Sequence, residues 1–402
     1  MIIFIIAAIL VLAALAAFIC LLIHLIIWLT KKLRKKECLK SKKRLLSSAS
    51  VFAVLVLVLI CLTIVTQLAA STPPIKDSEG NKVEGSIAEL RKISLNGRTQ
   101  WISIRGRDKT KPVLLFLAGG PGGSQMAAVR HDLNRLEESF VVVNWDQPGS
   151  GKSYNAEKLS KLTPETYIQD GYALTLYLLE AFKQEKIYLV GESWGSALGI
   201  FLIDRHPEVY HAFIGTGQMV DFDETERIDY LKALQLAEKK NDKKTADRLR
   251  ANGLPPYYGN DVTLKSAVYL NYLSSYMTSN PEIHNSGYNT FRDVFSSEYG
   301  LLDKINYFRG IINTFNCVYQ QLYDIDLADD YNDLTVPVYF FEGRHDVNAP
   351  TELVEEYFSV LNAPVKELVW FEHSGHNPWI NESGRFIDEL LLRFNRTAET
   401  EG

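Results

Sequence analysis

Residues Lys186-Ile187-Tyr188-Leu189-Val190-Gly191-Glu192-Ser193-Trp194-Gly195-Ser196-Ala197 decide how the chain is read. Ile187 to Val190 is a short apolar run of the kind that forms a buried strand, and Ser196 to Ile203 is small and apolar, as suits a helix packed behind it. A serine set between Gly191 and Gly195 at a strand-to-helix junction is the pattern of a nucleophile elbow. The glycines omit side chains where backbone must approach the serine closely. The sharp turn holds Ser193 in a strained conformation with its hydroxyl clear of the sheet.

A serine hydroxyl becomes a nucleophile only when a base takes its proton, and the base needs an acid to hold its tautomer. Both partners follow in chain order. Asp346 lies in Glu342-Gly343-Arg344-His345-Asp346 after the strand-like run Val338 to Phe341, and His376 lies in His373-Ser374-Gly375-His376-Asn377-Pro378 after Leu368 to Phe371. Glu342 competes as the acid but sits nearer the strand and should point back into the sheet. His345 reads as an exposed loop residue. His373 competes with His376, which is favoured because Gly375 supplies the tightly turned backbone of a residue reaching over the sheet. Trp194, directly after the serine, offers one N–H to a developing oxyanion. Gly120, in the glycine-rich loop Ala118 to Ser124 after the strand Val113 to Leu117, is the second candidate donor. Gly149-Ser150-Gly151-Lys152-Ser153 resembles a phosphate loop, but the full pattern needs glycine where Asp146 stands, which excludes a nucleotide-binding reading.

Further strands are expected at Val141 to Trp145 and Ala212 to Thr216, with a hairpin of Glu89 to Leu95 and Thr99 to Arg105 around Asn96-Gly97. Helical periodicity marks Pro164 to Phe182, Thr351 to Leu361 and Phe386 to Phe394. Strands alternating with helices give an α/β fold with a mostly parallel sheet. The alternation stops between Asp221 and Asp333, where a charged helical stretch (Glu224 to Arg250) and a Tyr-, Asn- and Ser-rich region read as an inserted lid over the carboxyl ends of the strands.

Of the 402 residues, 47% are hydrophobic, and the N-terminus takes a large share. Met1 to Thr30 and Leu45 to Ile75 carry no formal charge, and each exceeds the ~20 apolar residues that span a bilayer. Between them Lys31 to Arg44 holds nine Lys or Arg against Glu37, a short loop expected to stay cytoplasmic. Two transmembrane helices of a multi-pass plasma-membrane anchor are therefore expected, with spans of about 2–29 and 48–70, a basic loop at 31–44, and the domain that follows extracytoplasmic. His24, near the end of the first span, is expected to snorkel to the interface. A secretory signal ending near Leu68-Ala69-Ala70 is the weaker alternative, because a span precedes it and Leu68 departs from the small-residue cleavage pattern. Nine bases against one acid up to residue 75, and 34 against 47 after it, take the net charge from +8 to −13. An acidic domain argues against nucleic acid as a partner. Cys317 is the one cysteine outside the hairpin, so neither a disulfide framework nor a metal cluster is expected, and no cofactor is implied.

The set Gly119-Gly120-Pro121-Gly122, Trp145-Asp146-Gln147 with Gly149-Ser150-Gly151, Gly191-Glu192-Ser193-Trp194-Gly195-Ser196 and Ser374-Gly375-His376 resembles the proline iminopeptidase (prolyl aminopeptidase, peptidase S33) branch of the α/β-hydrolases, over roughly residues 85–395. The resemblance implies an α/β-hydrolase core at 85–220 and 334–396, a helical cap at 221–333, and a spacer at 76–84 after the 1–75 hairpin. It implies a triad of Ser193, Asp346 and His376, oxyanion donors Gly120 and Trp194, and removal of N-terminal residues, typically proline, from short peptides. The family usually has His at Ala118, Arg at Pro148 and Gly at Glu192. An aminopeptidase also needs carboxylates to pair with the substrate's ammonium group. Asp221, Asp223, Glu224 and Glu226 open the lid, where acids in such a run more often form a solvated helix face. Glu192 is the other candidate, with a structural role as its alternative. An esterase or lipase using the Tyr-rich lid as an acyl pocket, and a catalytically silent binding domain, complete the readings.

Overall fold

The computed structural model describes residues 2–285 and 287–401, with side chains as far as residue 398. The chain divides into two compact units, Met1–Ala70 with Tyr299–Lys304, and Ser71–Glu298 with Ile305–Gly402.

In the first unit, helices α1 (Ile2–Leu33) and α2 (Leu39–Leu68) are 32 and 30 residues long. At 1.5 Å per residue each measures roughly 45 Å, beyond the ~30 Å hydrocarbon core of a bilayer. Both are long and apolar enough to cross a membrane. They continue through most of the basic segment and leave only residues 34–38 as the turn, since Lys and Arg are good helix formers. Phe18 and Phe52 meet with ring centroids 5.4 Å apart. His24 Nδ1 lies 3.1 Å from Ser48 Oγ, so its ring faces the second helix.

The second unit is built on one eight-stranded sheet. Strands β1 (Ile87–Leu95), β2 (Arg98–Gly106), β3 (Val113–Leu117), β4 (Val141–Asp146), β5 (Ile187–Glu192), β6 (Tyr210–Thr216), β7 (Val338–Gly343) and β8 (Lys366–Phe371) lie in the order β1-β2-β4-β3-β5-β6-β7-β8. β1, β2 and β4 pair antiparallel and the remaining pairs are parallel. Successive residues of β3 serve opposite cores. Leu115 and Leu117 pack with Leu198 and Phe201, whereas Leu114 and Phe116 pack with Trp379 and Phe386. A strand covered on both faces needs a continuous apolar run, which is what Val113 to Leu117 supplies.

Helices α3 (Met126–Asp132), α4 (Pro164–Phe182) and α5 (Trp194–Arg205) follow β3, β4 and β5 in turn. The Thr163 side chain accepts from Thr166 N and Pro164 opens the first turn of α4. From β3 the chain moves to β4 on one side and then to β5 on the other. The loops leaving β3 and β5 therefore open the crevice where parallel sheets bind ligands.

Between β6 and β7 lies the insertion, led by α6 (Phe222–Lys239), α7 (Lys243–Asn252) and α8 (Val262–Thr278). The single helical stretch expected over 224–250 is two helices. Asn241 takes φ 56°, which Asn tolerates, and the Asp242 carboxylate caps α7 by accepting from Thr245 N at 3.1 Å. The insertion has its own core around Tyr230, Ala233, Leu249, Tyr269 and Leu273. It meets the loop after β3 so closely that a Cβ on Gly122 would lie 2.3 Å from the Gly310 carbonyl oxygen.

Candidate active site

Ser193 links β5 to α5 with φ 54° and ψ −125°. A non-glycine residue in such a conformation stores about 1–3 kcal/mol and persists only where its surroundings enforce it. Ser193 N donates to Thr216 O at 3.0 Å, and Ser196 Oγ donates to Ser193 O at 2.6 Å. A Cβ on Gly191 would come within 2.2 Å of Gly195 O, and one on Gly195 within 2.2 Å of Leu117 O. Both glycines are thus demanded by close backbone approach.

β7 and β8 deliver the other two groups. His376 Nδ1 and Asp346 Oδ2 are 2.8 Å apart, and Asp346 Oδ1 accepts from Asn348 N at 2.7 Å and Ala349 N at 3.1 Å. The carboxylate is fixed by its own loop, so it can hold the imidazole with Nδ1–H toward Asp346 and Nε2 toward the cavity. Gly217, at φ 52°, makes room for that ring, since a Cβ there would lie 2.9 Å from His376 Nδ1 and Cε1. Burial acts to lower the His376 pKa, but Asp346, Glu192 and Glu342 together outweigh it and raise the value to about 9. Glu342 sits buried at the end of β7, accepting from Gln218 N at 3.2 Å. Burial first and Asp346 second push its carboxyl well above the usual range. Ser193 and His376 line one cavity of about 310 Å³. No hydrogen bond joins the Ser193 hydroxyl to the imidazole among the described residues, and such contacts often tighten only when substrate binds.

His373 points away from this cavity. Its ring stacks on His284 at 4.2 Å, and its Nδ1 lies 3.1 Å from Glu282 O. His345 Nε2 lies 3.1 Å from Glu372 O.

Gly119 and Gly120 also line the cavity, and Gly120 has φ 139°. Trp194 opens α5, where the first-turn N–H groups have no intrahelical acceptor. Gln147 ties the two together, donating through Nε2 to Ala118 O and accepting from Trp194 Nε1, both at 3.0 Å. Asp146 accepts from Ser124 Oγ and, at 2.7 Å, from Lys152 N. Ser150 Oγ donates to Gln147 O and Thr314 Oγ1 to Gly149 O, both at 2.7 Å. The segment resembling a phosphate loop is therefore a brace beneath the glycine-rich loop.

Glu192 is 2% exposed and lines the same cavity. It accepts from Gln125 Nε2 at 2.7 Å, Asn377 Nδ2 at 2.7 Å and Tyr288 Oη at 3.4 Å. Asp221 and Glu224 do not reach the cavity. Asp221 Oδ1 caps α6 by accepting from Glu224 N at 2.9 Å, and the half-exposed Glu224 lies 3.4 Å from Arg227. The inward positions of that helix are Glu226 and Asp229, both fully buried. Glu226 accepts from Tyr269 Oη and, at 3.4 Å, from Ser266 Oγ, while both Asp229 oxygens lack a hydrogen-bond donor. Neither lines the cavity. Gln125, Tyr288 and Asp229 belong to no motif of the sequence, and Gln147 stands in Trp145-Asp146-Gln147 without its bracing role being visible there. Phe222, Glu226, Asp229 and Ala233, recurring at helical spacing, carry the signal for Asp229. Gly217, directly after β6, carries a turn signal for the place where the His376 ring fits.

The alpha/beta hydrolase fold family's profile matches residues 112–383. A probable aminopeptidase, YbaC of Bacillus subtilis strain 168, is 30% identical over 308 residues, which is 76% of this chain and 96% of that protein. A proline iminopeptidase of Lactobacillus helveticus is 31% identical over 125 residues, covering 31% of this chain and 41% of its own length. Among solved structures, a proline iminopeptidase of Mycobacterium smegmatis superposes with a TM-score of 0.58 at 18% identity, over 78% of this chain and all of that one, a likeness of fold. With an elbow serine, a His–Asp pair over the carboxyl ends of the sheet and a helical insertion, the chain belongs to the α/β-hydrolase family and is proline iminopeptidase-like.

Proposed function

We propose that the chain is a membrane-anchored serine hydrolase that removes N-terminal residues from short peptides, with its catalytic unit outside the cytoplasm. The carrying observation is the 2.8 Å His376–Asp346 pair, whose imidazole lines one cavity with a serine held at φ 54°. In this reading His376 Nε2 takes the Ser193 proton as Oγ bonds to the substrate carbonyl carbon, and the carbonyl π electrons move to oxygen, facing the N–H groups of Gly120 and Trp194. Collapse of the adduct breaks the C–N bond, and His376 returns the proton to the leaving amine. Water then attacks the acyl-enzyme by the same route and regenerates Ser193.

The similarity to a probable aminopeptidase supports a free N-terminus as the recognised feature. Supporting it further, the carboxyl of Glu192 faces the cavity with only uncharged hydrogen-bond donors. Apolar cap residues that line the same cavity, Ile311 and Phe315, favour a second reading as an esterase with an acyl pocket. The two basic helix ends around residues 34–38 and the two long apolar helices support the anchor and its orientation. Full-length protein in detergent, assayed on alanine and proline 4-nitroanilides and on short acyl 4-nitrophenyl esters, separates the readings. Anilide turnover abolished by Ser193→Ala supports the peptidase, and ester turnover alone supports the esterase. Turnover of neither, with no fluorophosphonate adduct at Ser193, leaves a silent binding domain.

A further inference from the structure

Glu192 has no packing reason to be an acid. Its Oε2 occupies the space a Cβ on Gly119 would need, at 2.2 Å, so the glycine-rich loop has given up a side chain to admit this carboxyl. Gly119 N–H, Gln125, Asn377 and Tyr288 hydrogen-bond to it, and every one of these donors is neutral. Burial pushes the Glu192 carboxyl above its usual range, against the pull of His376 and of these donors, so the carboxyl gains from any cation that reaches it. Glu192 Oε1 also lies 4.0 Å from His376 Nε2, the nitrogen that must accept the serine proton. Asp346 approaches the same ring from its other side, with Glu342 beyond it, and the phenols of Tyr288 and Tyr307 face Glu192 from the cap. Asp346 and Glu192 thus flank one imidazole on its two nitrogens, and their field favours a proton on it. A protonated imidazole cannot act as base.

A cation that can relieve the imidazolium of this role has a natural source. In an α-amino acyl substrate the ammonium nitrogen is only ~2.5 Å from the carbonyl carbon, through N–Cα and Cα–C bonds of ~1.5 Å each. A carbonyl placed on Ser193 therefore brings the ammonium group beside the residue preceding the serine. We propose that Glu192 binds the ammonium group of the substrate's N-terminal residue and thereby withdraws its negative field from His376, so that recognition of a free N-terminus and release of the general base are one event. This inference rests on the aminopeptidase reading. Glu226 and Asp229 cannot substitute for it in this structure, being sealed in the cap away from the cavity.

The test compares alanine benzyl ester with N-acetylalanine benzyl ester, using the full chain in detergent and its Glu192→Gln variant. A charge-assisted contact of this kind is worth roughly 10- to 100-fold. The variant should lose that factor in kcat/KM on the free amine beyond whatever it loses on the acetylated ester. In the wild-type protein the acid limb of kcat should lie at lower pH for the free amine than for the acetylated ester, a readout that needs no variant. A free-amine preference that persists undiminished in Glu192→Gln, or coincident acid limbs in the wild type, overturns the proposal while leaving the aminopeptidase reading intact. Equal turnover of both esters by the wild type overturns that reading and the proposal with it. Labelling of Ser193 by a fluorophosphonate in the variant verifies that its site is assembled.

Discussion

The elbow after β5 carries one acid and the first helix of the cap carries several, and the two regions place them in opposite ways. At the elbow one carboxyl, Glu192, is delivered to the cavity by a backbone that has almost no freedom, because Gly191 and Gly195 are fixed by contacts closer than a side chain would allow and Ser193 between them is held at φ 54°. In α6 five acids between Asp221 and Asp229 share one helix, and its rotation alone decides their fate. Asp221 caps, Glu224 meets solvent, and Glu226 and Asp229 turn into the cap core. A strained turn specifies a side chain from within a few residues, whereas a helix specifies it only through what the helix packs against.

That contrast can be broken most severely at the elbow. Ser193→Ala should lower kcat for any acyl substrate by at least roughly 10⁴-fold, the scale seen when a triad nucleophile is removed. Turnover assays on the 4-nitroanilides check it. Gly217→Ala should cost roughly 10²-fold in kcat, because the new Cβ would press on His376 at 2.9 Å and displacements of that order misalign a base. Near-unchanged thermal stability would locate the effect in the site.

The cap helix should answer in stability instead of rate. Burial raises the Glu226 carboxyl from 4.5 to about 7, so the folded chain keeps a proton that the unfolded chain releases near pH 4.5. Stability is then present at low pH and declines as pH rises from about 4.5 through about 7, by on the order of 3 kcal/mol. Glu226→Gln keeps an acceptor for Tyr269 and removes the titration. It should raise the melting temperature at pH 8 and change it little at pH 4. Glu224→Gln, on the solvent face beside Arg227, should shift stability by no more than about 0.5 kcal/mol at either pH.

The same contrast governs what could be read in advance. The sheet strands at Val113, Val141, Ile187, Ala212, Val338 and Leu368 were legible because continuous apolar runs between turn residues have one economical use in a parallel sheet. Pro164 to Phe182 was legible because its apolar residues recur at helical spacing, and the structure adds the Thr163 cap at its start. Ser193, Asp346 and His376 are brought to one end of the sheet, as their chain order implied, since each follows its own strand. Asp221 and Glu224 could not be sorted from Glu226 and Asp229 without the packing of α6, α7 and α8, which fixes the helix phase. Gln125, Tyr288 and Asn377 were hidden for the same reason. They converge on Glu192 from segments 67, 96 and 185 residues away in sequence.

The most direct test is mass spectrometry of the full chain after reaction with a fluorophosphonate, comparing wild type with His376→Asn. A single adduct on the peptide containing Ser193, formed rapidly in the wild type and slowed by orders of magnitude in the variant, is the predicted result. An adduct on another residue, or labelling of Ser193 that is indifferent to His376, would contradict a nucleophile served by this imidazole.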